Sequence, residues 1–213
     1  MTYIENIFLC LSIPMILSLF FTQGRSRTFT LFVILGMGIS LLSAYVSSFC
    51  MVFYNATAAQ TTVEISPVIE ELMKLLPLLF FYLVFEPRPK ELPAAALAIA
   101  VGFATFENVC YLTENGAANF IFLLIRGIAA GALHILCGIL SGFGISYVFR
   151  RRWLAFTGTI AVLGVCTGLH AIYNLLISAD GLWWVAGCLF PSVSILLLLM
   201  AGRFLPRHLL LLE

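Results

Sequence analysis

The sequence predicts an all-α fold, a polytopic transmembrane helical bundle of about seven spans, and three observations carry that expectation. Hydrophobic residues make up 62% of the 213 and charged residues only 10%, whereas a soluble domain carries roughly a quarter charged. The apolar stretches are long enough to cross a hydrocarbon core about 30 Å thick, which takes about 20 residues each. The basic residues gather in alternate connectors, as they do in multi-span membrane proteins. A single integral membrane domain over 1–213 uses up nearly the whole chain, with no internal repeat, low-complexity segment or soluble domain left to place.

Charge, Gly and Pro divide the chain into its elements. The first segment, 4–22, lacks the basic n-region of a signal peptide and outruns an h-region, so it is expected to be a retained span. Arg25 and Arg27 separate it from the second, 28–54. The third, 66–85, is entered at Ser66 and Pro67 and ends at a connector, 86–91, that holds Arg88 and Lys90. The fourth, 92–112, gives way to a polar connector ending near Gly116, and the fifth, 119–149, is closed by Arg150, Arg151 and Arg152. The sixth, 153–178, and the seventh, 182–205, are divided by Asp180 and Gly181, and Arg203 and Arg207 mark the tail.

These basic connectors are alternate ones, and the opposite connectors (55–65, 113–118 and 179–181) contain no Lys or Arg. The positive-inside rule then puts the amino terminus outside and the carboxyl terminus in the cytoplasm. Nine of the eleven basic residues obey the pattern; the other two, Lys74 and Arg126, lie within spans. A net charge of +1 offers nothing to a nucleic acid, so the lipid bilayer is the expected surrounding partner. The six cysteines stand singly in apolar stretches without C-x-x-C spacing and read as small hydrophobes.

A charged side chain at the centre of a membrane helix costs about 2.5 to 3.5 kcal/mol on insertion scales, yet this chain keeps several. Glu70, Glu71 and Lys74 lie in the third span, Glu107 near the end of the fourth, His134 in the fifth and His170 in the sixth. The expected topology puts them at similar depths: at 1.5 Å per residue, Glu70, Glu71 and Glu107 come about 6 to 8 Å below the outer surface, His170 about 12 Å, and His134 somewhat deeper. Four helices thus bring ionisable groups to one half of the membrane, and a shared site is more economical than four separate burials.

Spacing adds detail. His170 and Asn174 are i and i+4 on one helix face, where Asn174 can hold a substrate oxygen or orient the imidazole. Glu70 and Lys74 share a face in the same way, while adjacent Glu70 and Glu71 diverge by about 100°, so one of them faces the cavity centre. A buried glutamate can serve as general base toward water, with imidazole or amide groups stabilising an oxyanion. Glutamate and imidazole also suit Zn²⁺, which takes three protein ligands and a water in catalytic sites. Either arrangement activates water for hydrolysis.

Arg126 reads as an interfacial or substrate-facing cation, Trp183 and Trp184 as an aromatic belt, and Gly127, Gly131, Gly138, Gly142 and Gly144 as close-packing positions. There is no H-E-x-x-H, and Ser141 lies too far toward the cytoplasmic end to pair with His170. A proton-coupled transporter or channel is the rival from another class, but its relay would have to continue across the membrane. A noncatalytic immunity-type membrane protein is the second rival.

Four motifs in order carry a family resemblance. Glu70, Glu71 and Lys74 form E-E-x-x-K, Phe103, Glu107 and Asn108 form F-x-x-x-E-N, His134 stands alone, and His170 with Asn174 forms H-x-x-x-N. The chain resembles the PrsW family of intramembrane proteases, which is similar to the CAAX prenyl endopeptidases and bacteriocin-immunity membrane proteins. Lys74 replaces the arginine of that wider group with one residue less spacing, and Glu107 stands where it often has histidine. The motif-bearing core is 66–178. The resemblance implies a membrane endopeptidase in a bacterial plasma membrane, cutting a membrane-anchored, anti-sigma-factor-like substrate near the extracytoplasmic face. It also implies catalytic roles for Glu70, Glu71, Glu107, His134, His170 and Asn174. Glu107, His134 and His170 are then candidate ligands for Zn²⁺, although related enzymes have been argued to work without a metal.

Overall fold

The computed structural model describes residues 3–88, 90–116 and 120–204. Seven long helices follow one another: α1 (Ile4–Ser18), α2 (Gly24–Phe53), α3 (Ser66–Phe85), α4 (Glu91–Asn115), α5 (Phe120–Phe149), α6 (Ala155–Ile177) and α7 (Leu182–Phe204). Among the described residues there is no strand. Five of the seven, α2 and α4 to α7, are long and apolar enough to cross a membrane. The 15 residues of α1 span about 22 Å, less than a hydrocarbon core, and the charges of α3 set it apart from an ordinary span. Residues 117–119 of a polar connector and Arg207 of the tail lie outside the described residues.

Two boundaries differ from the charge-based expectation. Helix α2 starts at Gly24 and so takes in Arg25 and Arg27; a cation ends an apolar run without ending a helix, because its long stem carries the charge to the interface. The 55–65 connector is mostly helical. Thr57 caps Ala58–Gln60 with a reciprocal pair of bonds, its hydroxyl accepting from Gln60 N at 3.2 Å and Gln60 Oε1 accepting from Thr57 N at 2.9 Å. A π-helical turn, Thr61–Ile65, then leads into α3, and Glu86, left-handed at φ 46°, ends it.

Helix α4 is the centre of the bundle. It packs along α2 on one side and α5 on the other, and the core between them is built from Ile39, Leu75, Leu78, Ile99, Phe103 and Ile145. The α2–α4 crossing is close because two glycines meet the opposing backbone: a Cβ on Gly36 would fall on the Ile99 carbonyl, and one on Gly102 on the Val33 carbonyl. On α5, Gly138 and Gly142 approach Ala96, Ala100 and Pro93 of α4, and Gly144 approaches Val162 of α6. Gly127 and Gly131 do not share this role, since an added Cβ at either would meet nothing within 4 Å. Gly102→Ala is therefore expected to lower the thermal midpoint in detergent, at a cost of about 1–3 kcal/mol for overpacking. Gly127→Ala should leave the midpoint unchanged or raise it, because the helix gains propensity of up to about 1 kcal/mol. Midpoints of the two variants measured side by side check the packing.

Helix α1 rests on this core through Phe8 against Phe106 of α4, ring centroids 5.8 Å apart, and through the Tyr45 hydroxyl of α2, which donates to Glu5. Two clefts among the described residues bear on function. One opens where α2, α3 and α4 meet at the end holding the basic connectors, and the other lies among α3 to α7 at the opposite end.

Candidate functional site

The buried ionisable groups of α3 to α6 are joined in one chain of contacts. Lys74 Nζ donates to Glu71 Oε1 at 2.7 Å, one turn back on α3, and to His134 Nδ1 of α5 at 3.0 Å. His134 Nε2 lies 2.6 Å from Glu107 Oε2 of α4. Glu71 Oε1 also accepts from His170 Nδ1 of α6 at 2.8 Å, and His170 Nε2 lies 3.8 Å from Glu70 Oε2. Glu71, Lys74, His134 and His170 are all buried. A lysine ammonium only donates, so His134 Nδ1 accepts and its Nε2 carries the proton given to Glu107. An ionised Glu71 only accepts, so His170 Nδ1 carries a proton and its Nε2 is turned toward Glu70.

The two adjacent glutamates therefore have different surroundings. Glu71 points inward and is bonded to Lys74 and His170, whereas Glu70 lines the cavity and its buried Oε2 has no hydrogen-bond partner. Lys74 pairs with Glu71 at i, i+3 rather than with Glu70 at i, i+4, because the face holding Glu71 is the one turned to His134 and His170. Phe103, one turn before Glu107, packs on both partners of this contact: its ring centroid is 4.9 Å from that of His134 and 4.8 Å from Lys74 Nζ. The two imidazoles meet edge to face at 5.2 Å.

The cavity holds about 370 Å³ and is walled by Glu70, Glu107, Arg126, His170, Tyr173 and Trp184, with Thr62 and Ser66 at the entrance to α3. Arg126 lies flat on Tyr111, its Cζ 3.6 Å from the ring centroid, and reaches Glu107 Oε1 at 3.5 Å. Asn174 lines the cavity beside His170, and its Nδ2 donates to the Thr62 carbonyl of the π-helical turn at 2.8 Å. That contact fixes α6 to the start of α3, and π-turns are common beside functional sites. Trp184 belongs to the cavity wall, while Trp183 is 67% exposed as a belt residue would be. Trp184 and Cys188, both lining residues, are i and i+4 on one face of α7.

One turn deeper than the histidines, Cys137 and Cys166 each donate a thiol to the other's carbonyl, at 3.7 and 3.6 Å. The Ser141 hydroxyl is 3.4 Å from Cys166 Sγ, and His170 is held by the two glutamates, so no Ser–His pair forms. The cysteines are packing residues with weak bonds, as small hydrophobes on these faces should be.

The site has three carboxylates against two fixed cations, Lys74 and Arg126. With all three carboxylates ionised and both imidazoles neutral it would carry one uncompensated negative charge, which favours an added cation. Among the described residues, Glu70, His134 and His170 bring one ligand atom each to within 4.8 Å of one another, as do Glu71, Cys137 and Cys166. In the first set Glu70 and His170 line the cavity with His134 buried behind them, and the set has the nitrogen and oxygen donors of catalytic zinc sites. In the second, Glu71 is already taken by Lys74 and His170. Glu107, expected as a ligand beside the two histidines, is in neither set and meets His134 Nε2 at 2.6 Å.

Comparison with known proteins adds a single finding. The family model described as PrsW family intramembrane metalloprotease matches residues 25–202, a stretch that takes in α2 and most of α7 as well as the four motif-bearing helices. No curated protein and no solved structure matches the chain.

Proposed function

The chain belongs to the PrsW family of intramembrane metalloproteases, and from that premise we propose that it hydrolyses a peptide bond of a membrane-anchored protein substrate in the cavity beside Glu70. The observation that carries this reading is Glu70 Oε2, a buried carboxylate oxygen with no partner on a cavity wall, 3.8 Å from the imidazole of His170. An acceptor so placed calls for a water, and a water between a carboxylate and an imidazole is poised for attack on a carbonyl. Glu70 takes the proton of that water and returns it to the leaving amine, with Glu107 the second carboxylate on the wall and Arg126 facing the developing oxyanion. Glu71, Lys74 and His134 position the groups that react, and Asn174 holds the floor through Thr62.

The residues present fit a metal. Glu70, His134 and His170 would hold it, and Glu71 on His170 Nδ1 is the carboxylate behind a histidine ligand that metal sites commonly have. Zn²⁺ bound there would supply Lewis-acid polarisation of the water and the scissile carbonyl. The proton-relay reading is less well supported, because the next layer toward the basic end is apolar, formed by Leu75, Leu78, Ile99 and Ile145.

All seven helices are read as spans of one membrane domain, α3 crossing within the bundle because its charges are paired internally. The amino terminus is outside and the basic end cytoplasmic, which sets the cavity in the extracytoplasmic half of a bacterial plasma membrane. An anti-sigma-factor-like single-span protein is the substrate class. Co-expression of tagged single-span candidates with the wild type should yield a shortened fragment that is absent with Glu107→Ala and His170→Ala. A fragment that persists with both variants refutes the hydrolase reading. Loss of the fragment in purified protein after treatment with a strong chelator, and its return on adding Zn²⁺, would assign the metal.

A further inference from the structure

The second cleft, far from the carboxylates, has the composition of a lipid site. It holds about 1140 Å³ and is bounded by the start of α2, the end of α3 and the start of α4. That volume is above the usual range of about 300–1,000 Å³ for small-molecule pockets. Its mouth carries Arg25, Arg88, Lys90 and Glu91. Arg88 Nε donates to Glu91 Oε1 at 2.8 Å, so the one carboxylate is taken. Among the described residues, Arg25 and Lys90 form no ion pair, which leaves an excess of two positive charges at the mouth. Gly24 opens α2 at the same place, and Gln23 gives no side-chain cap, so first-turn amides of α2 add uncapped donors.

Below the mouth the lining changes character. Phe29, Phe32, Phe81 and Phe85 form an aromatic wall, Phe32 and Phe81 meeting at 4.9 Å, and Ala94 and Ala95 keep the α4 side low. Helices α2 and α4 are both apolar enough to span, and with both spanning, this wall falls at hydrocarbon depth and the cations at its edge. A free anion would use only the mouth. A molecule with an anionic head and apolar chains uses the whole cleft, and such molecules surround the protein.

We propose that this cleft holds one anionic phospholipid of the adjacent leaflet, its phosphate between Arg25 and Lys90 and its acyl chains along the phenylalanine wall. The inference is independent of the proteolytic reading, since none of its residues touches the carboxylate site. The test uses the purified full chain in neutral detergent micelles, with phosphatidylglycerol or phosphatidylcholine of identical acyl chains added. Bound lipid is counted by native mass spectrometry and the thermal midpoint is followed in parallel. One phosphatidylglycerol should be retained per chain with a rise in midpoint, phosphatidylcholine should give neither, and Arg25→Gln with Lys90→Gln should weaken retention at least tenfold. Arg27→Gln, an exposed cation of α2 that does not line the cleft, should retain the lipid as the wild type does. The midpoint of the double variant in phosphatidylcholine reports its folding separately. Equal retention of both lipids, displacement of phosphatidylglycerol by inorganic phosphate alone, or an equal loss in Arg27→Gln would overturn the proposal.

Discussion

Lys74→Met is expected to destabilise the bundle by about 3–5 kcal/mol, the cost of leaving a buried charge without its partner. Glu71 is only 3% exposed, and its Oε1 is bonded to Lys74 at 2.7 Å and His170 at 2.8 Å. Methionine fills the lysine stem's volume but donates nothing, so Glu71 keeps one bond instead of two and His134 Nδ1 loses its donor. Proteins are stable by only about 5–15 kcal/mol, so the variant should accumulate poorly and unfold at a lower denaturant midpoint. Adding Glu71→Gln removes the stranded charge, and the double variant should recover much of the loss. That gives a coupling energy of more than about 1 kcal/mol in a double-mutant cycle followed by denaturant titration. Additive losses, or a single variant as stable as the wild type, would show that the Lys74–Glu71 pair is incidental.

The same pair shows where the sequence is informative. Because burying charge in hydrocarbon is costly, Glu70, Glu71, Glu107, His134 and His170 stand out from apolar surroundings, and their depths alone bring four helices to one level. The structure joins these groups in continuous contact. Their individual partners were not legible, because helix spacing allows Lys74 to meet Glu70 at i, i+4 or Glu71 at i, i+3, and the choice is made by His134 and His170, which lie far along the chain on α5 and α6. Asn174 shows the same limit. Its i, i+4 relation to His170 is local, but its amide goes to Thr62, in a π-turn that has no sequence signature. Glycines mark close approach only where a neighbour is present, as at Gly102 but not Gly127. Tryptophans at an interface give no indication of which one turns inward, and Trp184 does so beside Trp183, which does not.

Glu70→Gln is expected to lower proteolysis by about 10²- to 10⁴-fold, the usual contribution of a positioned acid–base group, with little change in stability. The two effects separate because Glu70 Oε2 has no hydrogen-bond partner to lose, so an amide of the same shape leaves the packing intact. Glu71→Gln should behave differently: the carboxylate accepts from both Lys74 and His170, and its loss lowers the thermal midpoint and the activity together. Fragment yield and midpoint measured on the same preparations place each variant. Metal content then divides the remaining chemistry, since zinc lost with Glu70→Gln marks Glu70 as a ligand and zinc retained marks it as the group that meets the water. If Glu70→Gln cleaves within a few-fold of wild type, the unpartnered oxygen is not where water is activated, and Glu107 becomes the carboxylate on which hydrolysis must be built.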